Sequence, residues 1–378
     1  MTDSRFSVGA NWDLELIDSI KQYPVSLLYA KLEDDIIGGG RPNYLLPKIS
    51  KEQASEFIKY AKQSGIGFNY LLNTSCLGNE EFTSTFNKGL MQILEWIDTN
   101  EVEYVTVAIP YIVEIVKKYF PHIKVNVSVL AHVNSIQRAK YFENLGADTI
   151  TISDSHNRDF RFLKNLVKGT KCQIQLIPNL TCLKDCPYQF YHANQVSHAS
   201  NSQDEMDGYY LDYCIIKCTQ SRVNSPIEFI KSGWIRPEDI TEYEKIGINS
   251  FKLVERFDTT QTITNAVKAY SERTYKGNLA DILNVKTDPK KQTNVNPEPL
   301  IRPEFCNIKH MQDIEDTIYI KEVIIDNNKL DGFLDFFKTK NCRVSSCEQC
   351  GYCNKIATEV VYIPDAKNAR EKLDNKVE

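Results

Sequence analysis

The residues in this chain best equipped for chemistry are cysteines. Cys182-Leu-Lys-Asp-Cys186 and Cys214-Ile-Ile-Lys-Cys218 are two C-x3-C pairs with 27 residues between them. Thiolates bind soft or borderline ions, and closely spaced pairs reduce the loop entropy lost when a site forms. Such a set can hold zinc on four sulfurs or an iron–sulfur cluster, and spacing alone leaves both open. The Cys186-Pro187 step tilts towards a cluster, because Cys-Pro also occurs in ferredoxin motifs. A further group, Cys347-Glu-Gln-Cys350-Gly-Tyr-Cys353, lies near the C-terminus, with Cys342 or Cys306 available as a fourth ligand. It is a candidate second metal site, for which a cluster and a zinc knuckle both fit.

The whole chain has 378 residues and eleven cysteines, an odd number that argues against a complete disulfide framework. The opening MTDSRFSVGANWDLEL has no basic region followed by an apolar stretch, so no signal peptide is expected. A cytoplasmic location follows as the expectation, and in a reducing compartment clustered thiols are metal ligands or catalytic groups rather than disulfides. Cys76 and Cys172 stand alone beside apolar residues and read as buried, inert thiols. No run of about 18 apolar residues appears, so no membrane association is expected. The net charge of −5 implies no wholesale attraction to nucleic acid.

Elements that could position the thiols alternate from the start. Candidate strands are Arg5–Gly9, Val25–Ala30, Gly67–Leu72, Tyr104–Ile109, Lys124–Leu130, Thr149–Ser153, Gln173–Pro178 and Ser250–Glu255. Between them lie helix-length periodic stretches, including Lys51–Ser64, Glu80–Thr99, Pro110–Tyr119, Val133–Leu145 and Glu238–Ile246. Gly65, Gly146 and Gly247 follow such stretches, where a left-handed cap favours glycine. Strand–helix alternation implies parallel strands joined by crossovers. The expected fold is α/β, a TIM-type (β/α)8 barrel, with a doubly wound open sheet as the alternative.

In a barrel, side chains just after each strand face the catalytic mouth. That criterion nominates Arg41, Asn73, Thr74, His132, Asp154, Ser155, His156, Asn179, Glu255 and Arg256. Gly38-Gly39-Gly40-Arg41-Pro42 is neither a Walker loop nor a dinucleotide fingerprint and reads as a turn that presents Arg41. After the seventh strand, residues 179–237 form a long cysteine-bearing loop, and loops of that length inside a domain are usually functional. Its aromatic residues and histidines, among them Tyr188, Phe190, His192, Tyr209 and Tyr213, are suited to shielding a metal from water.

Thr260–Ala280 reads as the closing amphipathic helix. The domain expectation is a barrel over 1–285, a Pro- and Asn-rich linker over 286–303, and a small Cys-containing module over 304–378. Ala366–Glu378 reads as a charged exposed helix or a frayed tail. No H-E-x-x-H and no G-x-S-x-G is present, so zincin and serine-hydrolase chemistry have no anchor.

Three stretches resemble the collagenase-like peptidase family U-32, over about residues 5–285. Phe251-Lys-Leu-Val-Glu-Arg256 with its following helix resembles the family's F-K-I-E-G-R segment, with Val254 and Glu255 in place of Glu-Gly. Cys214-x3-Cys218 is similar to its C-x-Q-P-C-R block, with Ile216-Lys217 for Gln-Pro and Thr219 for Arg. Val127-Ser-Val-Leu-Ala-His132 followed by Leu145-Gly-Ala-Asp148 resembles a third step. The resemblance implies a barrel and a 4Fe–4S cluster, for which Cys182, Cys186, Cys214 and Cys218 are the matching positions. It further implies oxygen-independent hydroxylation of RNA bases or quinone precursors, with prephenate as oxygen donor.

The expectation is therefore an iron–sulfur enzyme performing redox chemistry or oxygen-atom transfer on a small molecule, RNA base or peptide. In it Arg41, Lys252 and Arg256 hold a carboxylate, His132 or His156 moves protons, and Asp154 and Glu255 complete the catalytic set. A peptidase is one alternative. An electron-transfer or scaffold subunit working with a redox partner protein is another.

Overall fold

Eight short parallel strands follow one another in chain order and close on themselves. They are β1 (Arg5–Gly9), β2 (Val25–Ala30), β3 (Gly67–Leu72), β4 (Tyr104–Val107), β5 (Lys124–Val127), β6 (Thr149–Thr151), β7 (Gln173–Leu176) and β8 (Ser250–Leu253). Closure comes from pairing of β8 with β1, which sets Arg5 against Ser250 and Val8 against Leu253. The fold is the expected (β/α)8 barrel. The computed structural model describes residues 4–33, 35–43, 46–201, 213–256, 258–285, 320 and 322–377. Cys306, Tyr209, Tyr210 and the 286–303 linker lie outside the described residues.

Strands β4 to β8 stop short of their expected ends. Apolar sequence runs on past the hydrogen-bonded ladder because the chain is already turning: Ile109 caps the Pro110–Tyr119 helix, and Val129–Ala131 forms a 3-10 turn. Glu80–Thr99 divides into a turn over Glu80–Phe82 and a helix over Ser84–Thr99, because extended Thr83 caps the latter through its hydroxyl. Val133–Leu145 contracts to Ile136–Asn144 behind the Ser135 cap. The closing helix spans Thr260–Glu272 rather than reaching Ala280, because Arg273 turns left-handed at φ 57°. Phe160–Gly169, a strongly amphipathic helix after β6, was not among the expected ones. Gly65, Gly146 and Gly247 do take positive φ, as helix ends require.

The 179–237 segment is more regular than its sequence suggested. It contains helices over Gln189–Ala199, Tyr213–Asn224 and Ile227–Lys231. Local periodicity is weak there because these helices bury only narrow stripes over the mouth. The final helix, Ala366–Val377, is docked rather than frayed: Leu373 is buried, and Arg370 Nε donates to the Val223 carbonyl at 3.0 Å. Among the described residues no helix is long and apolar enough to cross a membrane.

The barrel interior is bridged by polar side chains. Gln175 on β7 donates to Ser7 Oγ on β1 at 3.2 Å and to Ser250 Oγ on β8 at 3.0 Å. Its carbonyl accepts from Asn126 of β5 at 3.2 Å and Thr151 of β6 at 2.9 Å. Neither β5 nor β1 is a neighbour of β7, so these bonds cross the interior rather than run along the sheet. Thr106 and Asn69 add a similar bond at 2.9 Å between β4 and β3. A buried network of this kind is stabilising only while every member is satisfied. Gln175→Leu keeps the volume but takes the amide from four partners, of which Thr151 keeps its bond to Asn126 at 3.1 Å, and each group left unsatisfied costs roughly 1–3 kcal/mol. Denaturant titration should therefore show a loss of about 3 kcal/mol or more; an unchanged midpoint would mean that the network adds nothing.

Candidate active site at the barrel mouth

The loops leaving the C-terminal ends of the strands enclose a cavity of about 1890 Å3, counting its opening to solvent. Arg41, Asp154, Glu255 and Arg256 line it, as do all four residues of the two C-x3-C pairs, Cys182, Cys186, Cys214 and Cys218. Residues 182 and 218 are thus brought to one place from separate segments. Cys182 and Cys186 stand on the loop after β7, whereas Cys214 and Cys218 lie one helical turn apart on Tyr213–Asn224.

The thiols are close enough to disturb one another. Burial holds the Cys182 thiol well above the usual range, and Asp154, Cys218 and Cys186 push it further, although the residue is exposed towards the cavity. Cys186 is also raised, by burial and then by Cys218 against a lowering backbone contact from Tyr188. Arg222, absent from the sequence-based candidates, donates from Nη1 to Cys218 Sγ at 2.8 Å and from Nη2 to the Thr181 carbonyl. A guanidinium on that sulfur sits where the negative charge of a metal-bound thiolate falls. Cys214 Sγ lies 3.6 Å from Gln195 Oε1. Four thiols in one cavity, with a cation on one of them, fit a thiolate-held metal or cluster by donor type. As they stand, no three His, Cys, Asp or Glu side chains among the described residues come together closely enough to grip an ion.

A second group of lining residues is cationic. Arg41 donates from Nε to Glu255 Oε2 at 2.7 Å and from Nη2 to Oε1, a bidentate pair that Asn284 joins at 3.4 Å. Burial opposes the charge on Arg41, but Glu255 more than restores it. Glu255 is thereby committed to a salt bridge. Arg256 is different: it is buried, and none of its three side-chain nitrogens has a hydrogen-bond partner among the described residues. Burial, followed by repulsion from Arg41, brings it down to about 10. Lys252 lies with Nζ 4.0 Å from the Tyr29 ring centre, and burial with repulsion from Arg256 and Arg41 lowers it to about 7. Both cations need an anion to offset their desolvation.

Asp154 sits between the thiols and a second pocket. It is 1% exposed, its Oδ2 has no partner among the described residues, and burial raises it to about 7 despite backbone N–H groups and Arg222. Its position is fixed by contact with Gly233, where any Cβ would come within 1.9 Å of the Asp154 carbonyl oxygen. Asn179 holds the end of β8 by pairing with both backbone groups of Val254.

The two expected histidines are not brought to this cavity. His132 turns its ring against Phe190 at 4.1 Å, and burial with nearby Arg138 lowers it. His156 faces the C-terminal module, where Nε2 accepts from Arg343 at 2.8 Å; burial and Arg343 lower it to about 4. Both follow strands, but the 3-10 turns there leave neither on the lining of the cavity. His192, on the Gln189–Ala199 helix, does line the cavity. Lone Cys172 is buried, with its thiol donating to the Ala147 carbonyl at 3.1 Å, whereas Cys76 is half-buried.

Comparison with known proteins adds to this geometry. A model of peptidase family U32 matches residues 44–173. The uncharacterized protease MJ1657 of Methanocaldococcus jannaschii is 26% identical over 331 residues, which cover 87% of each chain. The solved structure of the U32 peptidase Mk0906 superposes with a TM-score of 0.50 at 21% identity, over 68% of this chain and 93% of that one. At that identity the structural likeness speaks for the fold alone. Family model and curated relative both liken this chain to peptidase family U32, and the barrel agrees with that likeness.

Proposed function

We propose that this protein is an iron–sulfur enzyme that carries out redox chemistry or oxygen-atom transfer on a carboxylate-bearing small molecule at its barrel mouth. The observation that carries the reading is the sharing of one cavity by Cys182, Cys186, Cys214 and Cys218 with the buried guanidinium of Arg256, which has no hydrogen-bond partner among the described residues. When bound, a cluster on these four thiolates would supply one-electron chemistry and a Lewis-acidic iron. The chain's own side chains do the remaining work. Arg256 and protonated Lys252 hold the carboxylate, while Arg41 is kept in place by Glu255. Asp154, poised near neutrality at about 7, can give or take a proton at Oδ2. Leu130, Ile177 and Phe229 supply apolar wall that limits water.

The names of its relatives favour a second reading, peptide hydrolysis. One assay separates the two. Protein purified without air should contain iron and acid-labile sulfide and absorb in the visible, and Cys214→Ala/Cys218→Ala should lose one cluster's share of that iron. A single zinc with no sulfide, or peptide cleavage undiminished in the double variant, sinks the cluster enzyme.

Carboxylate binding can be tested with succinate as probe, by calorimetry. A hydrogen bond to a charged group is worth about 1.5–3 kcal/mol, so Arg256→Met should weaken binding roughly 10- to 100-fold. Because Lys252 is charged below about 7 and neutral above, affinity should fall as pH rises through that value, and Lys252→Met should flatten the profile. Equal affinity at pH 6 and pH 9 in the native protein would refute the role of Lys252.

Asp154 gives a separate signature in stability. Its folded-state value is raised from 3.8 to about 7, so between those limits the folded chain keeps a proton that the unfolded chain has released. Stability from this group therefore declines as pH rises across that window. Asp154→Asn should match the native protein at the acid end and exceed it increasingly up to pH 7, as read by urea denaturation at a series of pH values. A constant difference across the series would mean that Asp154 does not titrate in this range.

A further inference from the structure

The C-terminal cysteines occupy a pocket of their own. Cys342, Cys347, Cys350 and Cys353 all line a cavity of about 810 Å3 against the outer side of the loop after β6. The backbone brings all four to one pocket, with, as at the mouth, no three of them close enough as they stand to grip an ion. Cys347–Cys350 is a single helical turn that ends at Gly351, whose left-handed φ of 64° redirects the chain into the helix Tyr352–Val360 carrying Cys353. Glycine takes that conformation without steric cost. Tyr352 anchors the second helix by stacking on Phe336 at 3.8 Å. Cys342 arrives from the preceding segment, and the adjacent Arg343 ties that segment to the barrel through His156 at 2.8 Å and Asp159 at 3.5 Å.

Cations from three different elements surround these sulfurs. Arg158 and Lys184 bear electrostatically on Cys342 and Cys353, and Lys231 on Cys347 and Cys353. Arg158 is held over the Trp234 ring at 4.5 Å and the Phe333 ring at 4.7 Å, with its Nη atoms on the carbonyls of Ile230 and Trp234. Its Nε has no partner among the described residues. Such a cationic shell suits a group of net negative charge, which four thiolates around an iron–sulfur core would be. The Cys182–Cys186 loop reaches both places: its cysteines line the mouth and Lys184 lines this pocket, while Asp154 borders both.

We infer that Cys342, Cys347, Cys350 and Cys353 hold a second iron–sulfur cluster, seated beside the mouth and distinct from the site there. The inference stands on the C-terminal pocket and does not require the mouth to hold a cluster. Its test uses full-length protein purified without air, with iron, sulfide and zinc measured per chain. Cys347 and Cys350 are exposed, so Cys347→Ala/Cys350→Ala removes ligands without emptying the core. If both sites carry clusters, that variant should retain about half the iron and sulfide of the native protein, and Cys214→Ala/Cys218→Ala the other half. Circular dichroism should show both variants folded. Loss of all iron in the mouth variant, with none lost in the C-terminal one, overturns this inference and leaves the mouth reading intact. The reverse pattern upholds it and removes the mouth cluster. A zinc ion lost from Cys347→Ala/Cys350→Ala with iron unchanged also overturns it, because the site is then a zinc knuckle.

Discussion

The amide of Gln175 is the point on which the arrangement of this barrel turns. A (β/α)8 barrel is ordinarily filled by branched apolar side chains. Here part of the interior is filled by hydroxyls and amides that reach across from β5, β6, β8 and β1 to one residue on β7. Apolar packing tolerates small slips, whereas directional bonds in a low-dielectric interior do not. The strands are therefore held in one relative register, and the loops at their C-terminal ends inherit it. Arg41 after β2 meets Glu255 after β8 only because β8 and β1 close the ring between them.

The mouth built on this frame is electrostatically incomplete. Glu255 satisfies Arg41, but the same cavity contains Lys252 and Arg256 with burial acting against both charges. A fold does not gain stability from a buried guanidinium without partners. Its presence is better understood as a site whose counter-charge arrives with a ligand. The raised thiols point the same way. Burial, with neighbouring thiols, raises both Cys182 and Cys186 above the ordinary thiol range.

The loop after β6 joins the mouth to the rest of the molecule. Asp154 closes against Gly233 on one side, and His156 receives Arg343 from the C-terminal module on the other. The module also packs Phe333 on Trp234 and ties Asp331 to buried Arg236 at 3.2 Å. Thiols near the end of the chain thus come to lie against the wall of a cavity whose own thiols begin at residue 182.

Much of this was written in local sequence. Alternation of short β-branched runs with periodic helices, punctuated by Gly65, Gly146 and Gly247, specified eight strands and their order, because such signals depend on residues only a few positions apart. The C-x3-C spacing likewise named the thiols that could act together. Local sequence misjudged where strands stop and helices begin, since Thr83, Ser135 and Arg273 decide this by single caps. It was blind to the direction of His132 and His156, to Arg222 on Cys218, and to the burial of Arg256. Each of those depends on residues far apart in the chain, as Arg41 and Glu255 are, 214 positions from one another. The sequence by itself determined which side chains were available and on which elements; only the closed barrel decided which of them meet, because partner and orientation are set by closure and packing rather than by spacing.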